Sequence, residues 1–436
     1  MKIKALSRSH EAYLPRKGDH APLSRNIDPA LHPFEKAREY TRALNATKLD
    51  RLFAKPFVGQ LGRAHVDGVY CMAKNKKTVG WCASGSADGY VKTWDLASRE
   101  EIMNVQAHDG IVKALGCTIT GDLLSCSTDK TVKLWSQTSD TPKQVYHHDQ
   151  SLSYLSPHAK NNQFATVSSN LDIWDISRSS PIETLEWATE SLLHCSFNSL
   201  EPSLIAATGS SRSLIFYDLR TSSPLEKLTT SLISNAVSWN PLEAFTIAAA
   251  NEDGNIYIFD MRHLKTARNV LKDHVAPVTT VDYSPTGQDI VSGSYDKTVR
   301  LFNIREGRSR DIYHTKRMQR VFSVLYSMDN SYVLSGSDDG NIRVWRSQAS
   351  KRTKILSLRE RSKLEYDDSL KERFKHMPEI KRIARHRHVP HMIKSIAKNR
   401  KEEEDALKRK RENRRRHEKG IEMPKEREKM VVGVAK

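Results

Sequence analysis

Ser125–Trp135 reads SCSTDKTVKLW. Ser125–Ser127 close one strand, Thr128-Asp129-Lys130 form a tight turn, and Val132 and Leu134 alternate along the next strand. Asp suits such a turn because its carboxylate bonds to the backbone just beyond it. Six other segments share this shape and end on an aromatic residue: SGSADGYVKTW (84–94), ATVSSNLDIW (165–174), ATGSSRSLIFY (207–217), AANEDGNIYIF (249–259), SGSYDKTVRLF (292–302) and SGSDDGNIRVW (335–345). The terminal aromatics follow one another at intervals of 41, 39, 43, 42, 43 and 43 residues. A period of about 40–45 residues is that of one four-stranded blade. The expected fold is therefore all-β, a seven-bladed β-propeller.

An Asp stands six residues before the aromatic in five copies: Asp88, Asp129, Asp253, Asp296 and Asp339. His65, His108 and His274 precede three of them. In these residues the chain resembles the WD-repeat family, where His, a strand Ser or Thr, the turn Asp and Trp form a buried hydrogen-bonded tetrad. The resemblance implies tetrads of His65, Ser84, Asp88 and Trp94 in the first copy and of His108, Ser125, Asp129 and Trp135 in the second. The sixth copy has His274, Ser292 and Asp296, but Phe302 lacks an indole N–H. Copies three and four carry Ser168 and Ser211 at the Asp position, so no tetrad is expected there. Because the seventh copy ends at Trp345 before a highly charged stretch, the strand-like Pro56–Leu61 is expected to complete its blade. Closing the ring in this way removes an exposed sheet edge.

The chain carries a net charge of +18, but unevenly. Residues 1–55 hold about +6 and residues 351–436 about +14, leaving the repeat region near −2. The 38% apolar content and mean hydropathy of −0.60 point to exposed extensions around a packed middle. There is no apolar run of membrane-spanning length and no secretory leader pattern, so no membrane partner is expected. Cys71, Cys82, Cys117, Cys126 and Cys195 form no CxxC pair or zinc spacing. They read as small core residues in a reducing compartment.

The recurring His, Ser and Asp resemble hydrolase triads only on paper. They repeat from copy to copy, whereas a nucleophile needs one activated site. Walker, HExxH and GxSxG motifs are missing, and the Gly-containing turns lie between strands. No enzyme activity, cofactor or small-molecule substrate is expected. His376, His386, His388 and His391 lie among Lys and Arg without a Cys, so polar contacts are favoured over a metal. Tyr217–Arg220 (YDLR) and Phe259–Arg262 (FDMR) resemble the aromatic-Asp-x-Arg box of propellers that act as substrate receptors for cullin-type ubiquitin ligases. That makes Asp218, Arg220, Asp260 and Arg262 candidate adaptor contacts. The plainer reading is that Asp and Arg commonly end this strand.

Beyond the repeats, Ser369 and Glu372 read as a capping box that opens a helix with Leu370 and Phe374 on one face. Pro378 opens a second helix with a stripe of Ile380, Ile383 and Ala384. Pro390 interrupts, and a third helix runs from about His391 to Gly420, with Met392, Ile393 and Ile396 as a short apolar patch. So few apolar residues cannot make a core alone. Lys408, Arg409, Lys410, Arg411, Arg414, Arg415 and Arg416 form the densest basic run. It suits a solvated face balanced by Glu402–Asp405, a nuclear localisation signal, or phosphate-backbone binding. Lys381, Arg382, Arg385 and Arg387 are further RNA-binding candidates. No aromatic–basic alternation marks a base-stacking surface, so RNA contact here is expected to be largely sequence-independent.

Leu23–Phe57 and Leu364–Ile393 resemble the two flanking signatures of the Sof family of WD-repeat proteins. The resemblance spans nearly the whole chain. It implies a basic, extended N-terminal arm (1–55), a propeller (56–346) and a Sof-like basic helical C-terminal domain (347–436). It also implies a nucleolar, non-enzymatic component of the small-subunit processome in ribosome biogenesis. The partners it implies are small-subunit precursor ribosomal RNA, proteins of the U3 small nucleolar ribonucleoprotein and other processome proteins. Animal members are also described as cullin-ligase substrate receptors, so the alternative partner is a ligase adaptor.

Overall fold

The computed structural model describes residues 31–137, 139–186, 191–351, 356–417 and 433–435. Seven antiparallel sheets account for all the described strands, one sheet for each sequence copy. In the second blade, Val112–Cys117, Leu123–Ser127, Thr131–Trp135 and Pro142–His147 lie side by side in that order. The second strands are buried throughout, as in Trp81–Ser86 and Asp289–Ser294, or in all but their first residue, as in Leu204–Gly209. The fourth strands range from the largely exposed Glu101–Gln106 to the half-buried Ser223–Thr229 and Ser309–Tyr313. Burial between neighbouring sheets explains why strands two and three are nearly continuous apolar and small-residue runs. Trp94, Trp174, Tyr217, Phe259, Phe302 and Trp345 each lie at 2% exposure or less, between one blade and the next.

The turn between strands two and three needs a left-handed residue. Gly89 supplies it at φ +81°, where a Cβ would meet the carbonyl oxygen of His108 at 2.1 Å. Lys130 and Lys297 adopt the same conformation at φ 68° and 62°, so the turn also accommodates a side chain. These turns bond to the loops that enter the first strands, as in Ala87 N–H to Gly68 O (3.1 Å) and Asp338 N–H to Arg320 O (2.9 Å). Turns and entering loops together make one face of the propeller, here called the entry face.

Ring closure follows the sequence expectation. Phe57–Gln60 is the outer strand of the seventh blade, with Phe57 opposite Trp345 and Gln60 opposite Arg343. Phe57 packs edge-on to Trp345, and Leu61 is buried beneath. At the outer edge of the fourth blade, Gly433–Ala435 pairs with Ser223–Thr229 as a fifth strand.

The contacts divide the chain into two compact units, 57–347 with 388–436 and 1–56 with 348–387. The smaller unit joins α1 (Glu35–Leu52), α2 (Leu358–Arg373) and α3 (Pro378–Arg385). Ala43, Leu370 and Ile380 form its core, with Tyr40, Leu44 and Phe374 around them. Tyr40 donates to Glu379 (3.0 Å), and Arg373 pairs with Glu39 (2.8 Å). Three expectations change here. The N-terminal arm is not extended throughout, because α1 offers Ala43 to apolar residues more than 300 positions away. The capping box that opens α2 is Ser357 with Glu360. Ser369 lies inside α2, and its hydroxyl bonds back to Tyr366 O at 2.7 Å. Finally, the C-terminal segment expected as one domain is shared between the units. α2 and α3 use α1 to bury Leu370 and Ile380, whereas α4 (His391–His417) belongs with the propeller.

Candidate functional site

In the second blade, His108 Nδ1 lies 2.7 Å from Asp129 Oδ2, and Nε2 lies 2.7 Å from Ser125 Oγ. A carboxylate only accepts, so Nδ1–H donates to Asp129 and Nε2 accepts from the Ser125 hydroxyl. Ser125 in turn accepts from Trp135 Nε1–H at 2.9 Å. The sixth blade repeats the His274–Asp296 and His274–Ser292 contacts at 2.8 and 2.7 Å, without an indole. In the first blade, Ser84 bridges His65 and Trp94 at 2.7 and 2.8 Å, but Asp88 stands 4.0 Å from His65 Nδ1. Burial pushes the His65 imidazole down to about 4. The Ser84 and Ser125 hydroxyls are each held between two buried partners and Ser292 by His274 alone, so the sets tie turn to strand. Burial also pushes the Cys126 and Cys117 thiols up to about 12 and 11, away from thiolate chemistry.

The third blade contains a substitute that the sequence reading missed. His148 Nε2 lies 2.7 Å from Asp172 Oδ2, and this hydrogen bond, opposed by burial, raises the His148 pKa. Asp172 occupies the strand position that Lys92, Lys133, Arg300 and Arg343 fill elsewhere, two residues before the aromatic. Trp174 donates to Thr166 at 2.9 Å. The signal was present, since HHDQ (147–150) aligns with AHDG (107–110).

α4 is a 27-residue helix, about 40 Å long at 1.5 Å per residue. It is seated on the entry face by Arg400. That guanidinium donates to His274 O (3.3 Å), in the loop entering the sixth blade, and to Asp253 O, in a turn of the fifth. His388 stacks on His314 of the loop entering the seventh blade, with centroids 5.4 Å apart. Of the apolar patch, Ile393 is buried, whereas Met392 and Ile396 are exposed. Glu402 and Glu404 pair backward with Lys398 (3.8 Å) and Arg400 (3.3 Å). Beyond them, Lys408, Arg409, Lys410, Arg411, Arg414 and Arg416 are exposed and Arg415 is half-buried. Arg416 pairs with Glu412 at 2.7 Å. Lys381, Arg382 and Arg385 are exposed on α3, with Arg387 half-buried just after it. The two basic groups thus belong to different units. Among the described residues no cluster of potential metal ligands forms.

The Asp-x-Arg boxes end third strands, on the face opposite the entry face. Arg262 forks onto Asp260 through two 3.2 Å bonds and lies 4.7 Å over the Phe245 ring. Arg220 is mostly exposed and reaches Glu201 at 3.8 Å. Only the second box therefore folds its Arg back onto its own Asp.

Four-stranded blades, turn-to-strand tetrads and strand-exchange closure define a WD-repeat β-propeller. The WD domain, G-beta repeat, matches residues 57–95, 99–136, 265–303 and 311–346, leaving the degenerate third to fifth blades unmatched. The Sof1-like domain matches residues 347–431. Protein SOF1 of Saccharomyces cerevisiae is 47% identical over 99% of this chain and 95% of its own length. Protein sof1 of Schizosaccharomyces pombe is 53% identical over the whole of both chains. DDB1- and CUL4-associated factor 13 of Xenopus laevis is 44% identical, again over the whole of both. The chain belongs to the Sof1 family of WD-repeat proteins.

Proposed function

We propose that the chain is a non-enzymatic scaffold and assembly factor of ribosome biogenesis. It acts in the nucleolus within the small-subunit processome, beside the U3 small nucleolar ribonucleoprotein, and supports maturation of small-subunit ribosomal RNA. The observation that carries this reading is α4: a helix anchored to the propeller through Arg400 that ends in seven closely spaced cations. Such a run neutralises phosphates and releases counterions. Lys381, Arg382, Arg385 and Arg387 contribute likewise. The likeness to Protein SOF1 over nearly the full length supports the same reading. Removing residues 364–420 is expected to leave the propeller folded and abolish association with large pre-ribosomal particles. Wild-type co-sedimentation of the truncated chain would overturn it.

A second reading, receptor for a cullin-type ligase, is favoured by the Asp260–Arg262–Phe245 arrangement and by relatives named DDB1- and CUL4-associated factor 13. In this reading Asp218, Arg220, Asp260 and Arg262 engage the adaptor propeller. Because the boxes and α4 lie on opposite faces, the two roles are sterically compatible. Arg220→Ala and Arg262→Ala are expected to reduce adaptor capture without changing RNA association. Unaltered capture by the double variant would remove this reading.

A further inference from the structure

The entry face carries an aromatic array whose members are far apart in sequence. Tyr70 and Phe322 stack face to face, with centroids 4.5 Å apart and planes 9° from parallel. Tyr295 meets Phe322 edge-on at 6.0 Å. Each end bears a cation: Lys113 Nζ lies 5.3 Å over Tyr70, and the Arg320 guanidinium 5.4 Å over Tyr295. Tyr70, Lys113 and Phe322 are the second residues of the innermost strands of blades one, two and seven. At the same position, blades five and six have Asn235 and Thr279, both bonded to carbonyls of the next blade. Those quadrants are closed by short polar side chains, whereas blades seven and one spend the position on rings.

The charge beside the array is also uneven. Lys297 donates to Gln319 at 2.7 Å, which ties the turn of blade six to the loop His314–Arg320. Lys316, Arg317 and Arg320 are exposed on that loop, and Tyr295 is 42% exposed beside them. Asp67, in the loop entering blade one, and Asp338, in the turn of blade seven, are also exposed; Asp338 lies against Gly68, and its N–H bonds to Arg320 O at 2.9 Å. The array is therefore bordered by the cations Lys297, Lys316, Arg317 and Arg320 over blades six and seven and by two carboxylates, Asp67 at blade one and Asp338 beside Arg320.

We propose that this array is a single-stranded RNA site, with bases on Tyr295 and the neighbouring rings and phosphates along Lys297, Lys316, Arg317 and Arg320. Aromatic rings and guanidinium planes stack unpaired bases of any sequence. A duplex hides those base faces and gains only the phosphate contacts. Asp67 and Asp338 repel a phosphate backbone, which leaves the exposed cations as its path, and they accept hydrogen bonds from base amino groups. An acidic peptide could use the cations but would gain nothing from the rings' stacking faces and would meet the same two carboxylates. None of its residues belongs to the Lys408–Arg416 run. It rests on the assembly-factor reading only for where such RNA is encountered.

The test is fluorescence anisotropy of the full chain with an RNA probe of about 12 nucleotides, single-stranded or annealed to its complement. Tyr295→Ala is expected to weaken single-strand binding about ten-fold, the loss of one stacked base. Duplex binding stays unchanged and Tyr295→Phe restores affinity. Arg320→Ala weakens single-strand binding and lowers its salt dependence. Replacing Lys408, Arg409, Lys410 and Arg411 by Gln weakens both probes alike. Tyr295 and Arg320 are exposed, so a matching thermal melt verifies folding. Unchanged single-strand affinity in both platform variants overturns the proposal, even where the α4 variant loses binding. Loss of a glutamate-rich peptide's binding in Arg320→Ala, with RNA affinity unchanged, overturns it in favour of protein docking. Loss of particle association on deleting 364–420 is a separate result, so failure of either reading is seen independently.

Discussion

Ser125→Ala in the second blade probes what the buried tetrads contribute. The Ser125 hydroxyl donates to His108 Nε2 and accepts from Trp135 Nε1–H, and both partners are almost wholly inaccessible. Removing it leaves one buried acceptor and one buried donor unmatched. At about 1–3 kcal/mol for each buried group left without a partner, the loss is roughly 2–6 kcal/mol. Ser292→Ala in the sixth blade is an internal control. Phe302 has no N–H, so only His274 is orphaned and the loss is about 1–3 kcal/mol. Native-state hydrogen exchange of Leu123–Ser127 and Thr131–Trp135 reads the effect locally, and urea unfolding reads it globally. The expected result is exchange at least about 30-fold faster in Ser125→Ala, with a smaller effect in Ser292→Ala. Equal effects of the two substitutions, or a loss in Ser125→Ala below about 0.5 kcal/mol, would refute the reasoning.

Deleting Phe57–Leu61 removes the outer strand of blade seven, so the melting temperature should fall sharply; Leu61→Ala alone should cost about 2–5 kcal/mol, and an unchanged melt in either contradicts the closure. Acid should also destabilise the fold. The unfolded chain protonates His65 near pH 6.5, but the folded chain only near 4, so its contribution is full above 6.5 and is lost as pH falls to about 4. That loss approaches roughly 3 kcal/mol, visible as a falling urea midpoint that His65→Asn flattens; a midpoint independent of pH across this window counts against it. Arg400→Ala should raise hydrogen exchange across His391–His417 while leaving the blades protected, and unaltered exchange in α4 would show that Arg400 is not its anchor.

The propeller was legible because its information is local and repeated. Every copy carries an alternating strand and a terminal aromatic, five of the seven carry the turn Asp, and the unpaired end of copy seven pointed to Pro56–Leu61. Features that depend on pairs of distant elements were harder to read. The motif S-x-x-E occurs at both Ser357 and Ser369, and only the packing of Leu370 against Ala43 shows which lies inside the helix. Asp172 looked like an ordinary strand residue until His148 was placed beside it. Tyr70, Tyr295 and Phe322 form an array only because ring closure brings the first blade against the seventh. The basic run at Lys408–Arg416 was plain in the sequence, but its attachment through Arg400 to two backbone carbonyls was not, since carbonyl acceptors leave no mark in the sequence.

Crosslinking of the intact protein to RNA in cells, with the joined nucleotides and peptides mapped, tests the central claim most directly. The account predicts crosslinks to small-subunit precursor ribosomal RNA or the U3 small nucleolar RNA, at peptides spanning Lys408–Arg416. Recovery of the protein free of crosslinked RNA, bound instead to a ligase adaptor through the Arg220 and Arg262 face, would contradict it.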